Sequence, residues 1–231
     1  MIAQTPASTR APSRPRDPLI AQEPGHDCPL CPRLAAFRAQ WRAAEPSWFN
    51  GPVPGFGPAD ARLLIVGLAP GVRGANRTGR PFTGDYAGDL LYGTLIDFGF
   101  ASGTYRADPR DGLQLHDARI VNAVRCVPPE NKPTTEEIRT CRPFLAATIA
   151  AMPRLAAIVA LGKIAHDSVV VTLGEKMSRA RFGHGARREI GGLTLFGSYH
   201  CSRYNTNTGV LTPAMFQAVF RDVRAFLDAA A

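Results

Sequence analysis

Apolar residues in this chain fall into four short continuous runs, separated by stretches in which they recur every three or four positions. Residues 62–68 (R-L-L-I-V-G-L), 118–124, 155–161 and 193–199 have the branched, unbroken apolar character of strands buried on both faces. Between them, Leu91, Leu95 and Phe98 lie at helical spacing within 88–100. Ile138, Phe144, Leu145 and Ile149 do the same within 135–151. Thr134 followed by Glu137 predicts a capping box at the start of that second helix. A shorter helix is expected over 164–173, and a last one opens at Thr212-Pro213 and runs to about Leu227, with proline at a first-turn position. Strands alternating with helices through right-handed crossovers predict an α/β fold. Its form is a three-layer αβα sandwich around a central four-stranded, mainly parallel sheet.

At 231 residues, with no internal repeat, the chain has the length of one domain with a sizeable core. Residues 1–24 lack apolar periodicity and are rich in Pro, Ala, Arg and Ser, which predicts a disordered basic arm ahead of a catalytic domain over 25–231. No apolar run follows the arm's charges as in a secretory signal, and none is long enough to span a bilayer, so a cytoplasmic protein is expected.

Each apolar run leads into glycines and polar or basic residues, at 67–85, 122–125, 162–166 and 199–205. In a parallel sheet the carboxyl ends of the strands share one edge, where ligands bind, so these segments are expected to converge. The formal charge of +8 favours a polyanionic partner, and Arg73, Arg77, Arg80, Arg125 and Arg203 stand at those strand ends, where a phosphate backbone would be held.

Five cysteines add a second feature. Cys28 and Cys31 form C-P-L-C, Cys126 follows the second strand, and Cys141 lies inside the next helix. The spacing favours a four-thiolate metal site over unrelated buried thiols, with zinc and iron both compatible; Cys201 is left over as a small packing residue.

The first strand-end loop, G-L-A-P-G-V-R-G-A-N-R-T-G-R-P-F-T-G-D, lacks the Gly-Lys-Ser/Thr of a nucleotide-binding P-loop and the glycine spacing of a dinucleotide fingerprint. Its glycines either let backbone N–H groups approach a phosphate or a flat ring, or simply turn the chain. Within it Phe82 is placed to stack on a base or to join the core. Asp85 is placed to act near a sugar or to cap the following helix, and Asn122 to read a base edge or to end a strand.

Taken together, G-L-A-P-G, N-R-T-G-R-P-F-T-G-D, V-N-A-V-R-C and Y-H-C-S-R-Y-N-T-N-T-G resemble the motifs of the iron–sulfur uracil-DNA glycosylases, most closely the family 5 (type B) branch, in the family's order from Cys28 to the carboxyl terminus. The resemblance implies that Cys28, Cys31, Cys126 and Cys141 hold a 4Fe-4S cluster and that Phe82 stacks on an extruded base whose edge faces Asn122. It further implies that His200 donates a hydrogen bond to a base oxygen, that Asp85 acts on the attacking water or the sugar cation, and that Gly67, Ala69, Gly71 and Asn205 shape the pocket. Residues 202–210 are expected to enter the minor groove, with Ser202, Arg203, Tyr204, Thr208 and Lys163 contacting DNA. Two departures stand out: Cys201 replaces a motif proline, and Leu68 stands where related branches place a polar residue that activates water, which moves the catalytic burden to Asp85. The implied activity is removal of uracil from DNA, with hypoxanthine and xanthine as further bases, by a monomer. The alternatives are a non-catalytic iron–sulfur module that binds nucleic acid and a hydrolase of free nucleosides.

Overall fold

The computed structural model describes residues 23–229. Its centre is a five-stranded sheet ordered β4-β1-β5-β7-β6, formed by β1 (Leu63–Gly67), β4 (Ala118–Asn122), β5 (Ala157–Leu161), β7 (Leu193–Ser198) and β6 (Arg187–Ile190). The first four are the predicted apolar runs, and all their pairings are parallel. The fifth strand, β6, corrects the expected count of four. It runs antiparallel to β7 at the sheet edge, and three of its four residues are exposed. An edge strand reading R-R-E-I carries no buried apolar stripe, so its sequence has no strand signal.

Alternating residues of β1 feed opposite faces, as strand pleating requires. Leu63 and Ile65 join one core with α3 (Tyr86–Asp97) and α7 (Pro213–Ala229), while Leu64 and Val66 join another with α4 (Thr135–Ala150) and α5 (Lys163–Thr172). The three layers are therefore as expected. The capping box of α4 is formed: Thr134 Oγ1 accepts from the Glu137 amide at 3.2 Å and the Glu137 carboxylate accepts from the Thr134 amide at 2.8 Å. A two-stranded pair, β2 (Ala101–Ser102) with β3 (Gln114–Leu115), lies outside the main sheet.

Three short or amino-terminal helices lack a counterpart in the predicted elements: α1 (Pro32–Ala44), α2 (Ala75–Thr78) inside the glycine loop, and α6 (Arg203–Asn207) inside the expected groove-binding loop. α1 packs through Leu34 and Arg38 on a third core that includes Cys126 and Cys141. The predicted arm lies outside the described residues except for Glu23 and Pro24. Glu23 is tied to the domain: its carboxylate lies 3.1 Å from the fully buried Arg125 guanidinium and accepts the Gly55 amide at 2.9 Å.

Candidate active site

Since β1, β4, β5 and β7 are parallel, the segments following them emerge along one edge, and the order places a switch point between β1 and β5. Phe82, Asp85, Asn122 and His200 line one inner pocket of about 30 Å³ together with Ala69, Pro70, Gly71, Ala75 and Ala87. The pocket adjoins a cleft of about 870 Å³, also lined by Ala69, Gly71, Asp85, Ala87 and His200. Residues more than a hundred positions apart are thus brought to one cavity.

Two glycines make the convergence possible. A Cβ on Gly67 would lie 2.4 Å from Asn122 Oδ1 and 2.6 Å from Phe82 Cζ, so the strand end must be bare for ring and amide to meet. A Cβ on Gly74 would lie 2.3 Å from Asp85 Oδ2. Phe82 holds a left-handed backbone at φ 51°, a conformation that costs of order 1–3 kcal/mol for a bulky residue and persists only when its surroundings enforce it. The enforcement is visible: Tyr105 Oη donates to the Phe82 carbonyl at 3.1 Å, and Tyr92 Oη donates to the Pro81 carbonyl at 2.6 Å. The Phe82 ring then stacks beside His200, with centroids 5.8 Å apart and planes inclined by 27°.

Asp85 stands at the start of α3 without a side-chain cap bond, and its buried Oδ1 has no hydrogen-bond partner. Burial raises its pKa above the usual carboxylate value, only partly offset by the nearby Gly88 and Ala87 amides. The amides of the first turn of α3 therefore satisfy the carboxylate only in part, and Oδ1 is left without a partner beside the pocket. His200 still reaches the cleft at one edge, but the packing around it pushes its pKa down to about 4, so the ring is neutral at ordinary pH. Asn205 Nδ2 donates to the His200 carbonyl at 2.8 Å.

The profile of the Uracil DNA glycosylase superfamily matches residues 54–224. The chain belongs to that superfamily. It is 45% identical over 204 residues to the type-5 uracil-DNA glycosylase of Thermus thermophilus, covering 85% of this chain and 92% of the relative. The type-5 uracil-DNA glycosylase of Mycobacterium leprae is 44% identical over 207 residues, at 85% and 90% coverage, and that of Pyrobaculum aerophilum is 38% identical, at 88% and 89%.

Among the other expected pocket residues, Gly67 lines neither cavity and packs behind Phe82 and Asn122, while Ala69 and Gly71 line both pocket and cleft. Asn205 is absent from the inner-pocket lining. It borders a flanking space with Lys163, Tyr199 and His200, and braces the His200 backbone. Ser202 caps α6, its hydroxyl accepting from the Asn205 amide at 3.4 Å. Arg203 lies over the Tyr86 ring at 5.3 Å, and Tyr204 is 74% exposed. Thr208 Oγ1 donates to the Tyr204 carbonyl, and Lys163 is ion-paired with Asp167.

Two of the five strand-end arginines are scaffold, which corrects their expected role. Arg80 makes a bidentate pair with Asp111, both bonds 2.8 Å, and lies against Phe56, Tyr92 and Tyr105. Arg125 is fully buried and donates to Thr148 Oγ1 at 2.9 Å. Removing one partner of a buried pair typically costs about 3–5 kcal/mol, so these cations hold the fold together. Arg73 and Arg203 do line the cleft.

The four expected ligand cysteines, Cys28, Cys31, Cys126 and Cys141, border a single narrow cavity with Leu34, Arg38, Val124 and Phe144. No group of His, Cys, Asp or Glu among the described residues is arranged to hold a metal ion, so the thiols surround a space rather than meet at a point. Burial pushes Cys31, Cys126 and Cys141 up to about 11. Arg38 Nη1 donates to Cys126 Sγ at 2.8 Å, while its buried Nε has no partner. A buried cation beside four thiols fits a group that binds as thiolates and carries net negative charge. Cys201 is separate: it is fully buried, with its thiol 3.5 Å from the Ala87 carbonyl, as a packing residue would be.

Proposed function

We propose that this chain is a DNA glycosylase that hydrolyses the N-glycosidic bond of uracil in DNA, acting on a nucleotide extruded from the helix. The observation that carries the reading is the convergence of Phe82, Asp85, Asn122 and His200 on one pocket opening into a cleft that Arg73 and Arg203 border. Breaking the bond leaves electrons on the departing base and positive charge on the sugar, so groups fixed against each charge lower the barrier. The neutral His200 ring supplies an N–H dipole to a base oxygen. The unpartnered Asp85 carboxylate orients water or opposes the sugar cation. Phe82 offers a ring face for the base, and Asn122 offers an amide that donates to a carbonyl and accepts from a ring N–H.

A base inside a duplex is out of reach of such a pocket, so the nucleotide must rotate out. The α6 segment, with exposed Tyr204 and with Ser202, Arg203 and Thr208, is the part we assign to the groove, and Lys163 to the flanking backbone. At about 30 Å³ the inner pocket is smaller than a base, so uracil requires Phe82 and His200 to part, and hypoxanthine or xanthine requires a wider opening still. Residues 25–231 act as the catalytic domain of a cytoplasmic monomer. No described helix is long and apolar enough to cross a membrane.

Incubation with a duplex containing one uracil, followed by alkali, tests the reading. Strand scission at the uracil with free deoxyuridine left intact is expected. Release from the free nucleoside at equal efficiency would select the nucleoside hydrolase, and no release from either would select the binding module.

Cys28, Cys31, Cys126 and Cys141 are the residues that would hold a 4Fe-4S cluster, which when bound ties the amino-terminal segment and α1 to the chain beyond β4. Anaerobic purification should yield a brown protein with roughly four iron atoms and four sulfides per chain. A colourless protein with about one zinc would replace the iron assignment.

A further inference from the structure

Beside the cleft lies a second space that the reaction described above leaves unused. Trp41 and Trp48, the only two tryptophans in the chain, stack with centroids 5.3 Å apart and planes within 8°. With Glu45, Arg73, Arg77 and Gly84 they border a space of about 400 Å³. Trp41, Arg73 and Gly84 also line the main cleft, so the lining is continuous from Asp85 to this aromatic shelf.

The shelf is fixed to the glycine loop by hydrogen bonds. Asn50, buried and in a left-handed conformation at φ 47°, donates through Nδ2 to the carbonyls of Trp41 at 3.3 Å and Glu45 at 2.8 Å. Its Oδ1 accepts from Asn76 Nδ2 at 2.9 Å. The backbones are stitched as well, Phe49 N donating to Arg77 O at 3.0 Å and Asn50 N to Asn76 O at 2.9 Å. The end of α1 that carries Trp41 is thereby locked to the loop that carries Arg73, Arg77 and Asp85. Both arginines are exposed and neither forms an ion pair with a described carboxylate, while Glu45 sets one negative charge against their two positive ones.

We infer that the Trp41–Trp48 shelf, with Arg73 and Arg77, is a subsite for the nucleotide next to the extruded one on the same strand, its base against the indole and its phosphate against the guanidiniums. This rests on the glycosylase reading. Extruding one nucleotide leaves its neighbour unstacked on one side, and an aromatic shelf adjoining the pocket replaces that lost stack. Aromatic stacking accepts every base, and guanidiniums read phosphate charge without sequence, so the subsite adds affinity without restricting the neighbouring base.

With both tryptophans on the shelf, intrinsic fluorescence reports on it directly. Titrating the full-length holoprotein with a uracil-free single-stranded oligonucleotide should change the emission in a saturable, salt-sensitive way. Emission that stays constant while anisotropy of a labelled oligonucleotide shows binding overturns the subsite. Trp41→Ala should raise the half-saturating concentration of uracil-containing DNA roughly 5- to 150-fold, with a much smaller fall in the single-turnover rate at saturation. Trp41→Phe should recover most of the loss. Arg73→Gln combined with Arg77→Gln should flatten the salt dependence by about two units of log–log slope at most. A Trp41→Ala variant that loses saturating rate and affinity equally, or is not rescued by Trp41→Phe, contradicts the proposal. Wild-type protein that shows the emission change but releases no uracil would overturn the glycosylase reading and leave the strand-binding shelf standing.

Discussion

Asp85→Asn is expected to lower the single-turnover rate of uracil release by about 10²- to 10⁴-fold, the range for a positioned acid–base group, and to leave DNA affinity nearly unchanged. Asparagine keeps the shape between Gly71 and Gly74 and removes only the charge. The expectation follows from the state of the carboxyl: Oδ1 is buried without a partner, and burial raises its pKa. The same shift fixes a pH dependence. Asp85 acts ionised, so the rate should rise with pH through its raised pKa and level off above it, placing the acid limb above the ordinary aspartate value of about 3.9. In Asp85→Asn the residual rate should lose that limb. Full activity in Asp85→Asn, or an unmoved limb, would remove Asp85 from the chemistry.

His200→Ala should reduce the rate at saturation by about 10²- to 10³-fold, the loss seen when one fixed donor to a developing negative charge is deleted. The donor is fixed from two sides: Asn205 Nδ2 holds the His200 carbonyl, and Phe82 stacks beside the ring. With its pKa near 4, the imidazole donates as a neutral group throughout the neutral range. The wild-type rate should therefore show no titration between pH 6 and 8 from this residue, even though an unperturbed histidine titrates near 6.5. An inflection in that window that disappears in His200→Ala would mean that the protonated ring acts instead.

The sheet core was legible from the sequence because β1, β4, β5 and β7 are buried on both faces and read as continuous apolar runs. β6 was not, since an edge strand needs no such run. Asp85 and Asn122 were legible as strand-end polar residues, but neither was decidable alone. Asp85 meets the first-turn amides of α3 and also keeps an unpartnered oxygen at the pocket, a double placement that no sequence pattern displays. Arg80 and Arg125 misled for a related reason: a strand-end arginine is equally apt for phosphate and for a buried carboxylate, and Asp111 and Glu23 lie far from them in sequence. Trp41 was missed altogether, although Leu34, Phe37, Arg38 and Trp41 keep a helical rhythm after Pro32. Helix periodicity there would have predicted α1, but its approach to the cleft depends on Asn50 bridging to Asn76.

The central claim is spatial: one extruded uracil lies among Phe82, Asp85, Asn122 and His200. A crystal structure of Asp85→Asn bound to a uracil-containing duplex tests it most directly. The account predicts the uracil ring against Phe82, its polar edge toward the Asn122 amide and a carbonyl oxygen within hydrogen-bond distance of His200. A uracil ring lodged elsewhere in the cleft, with the inner pocket empty of base, would contradict it.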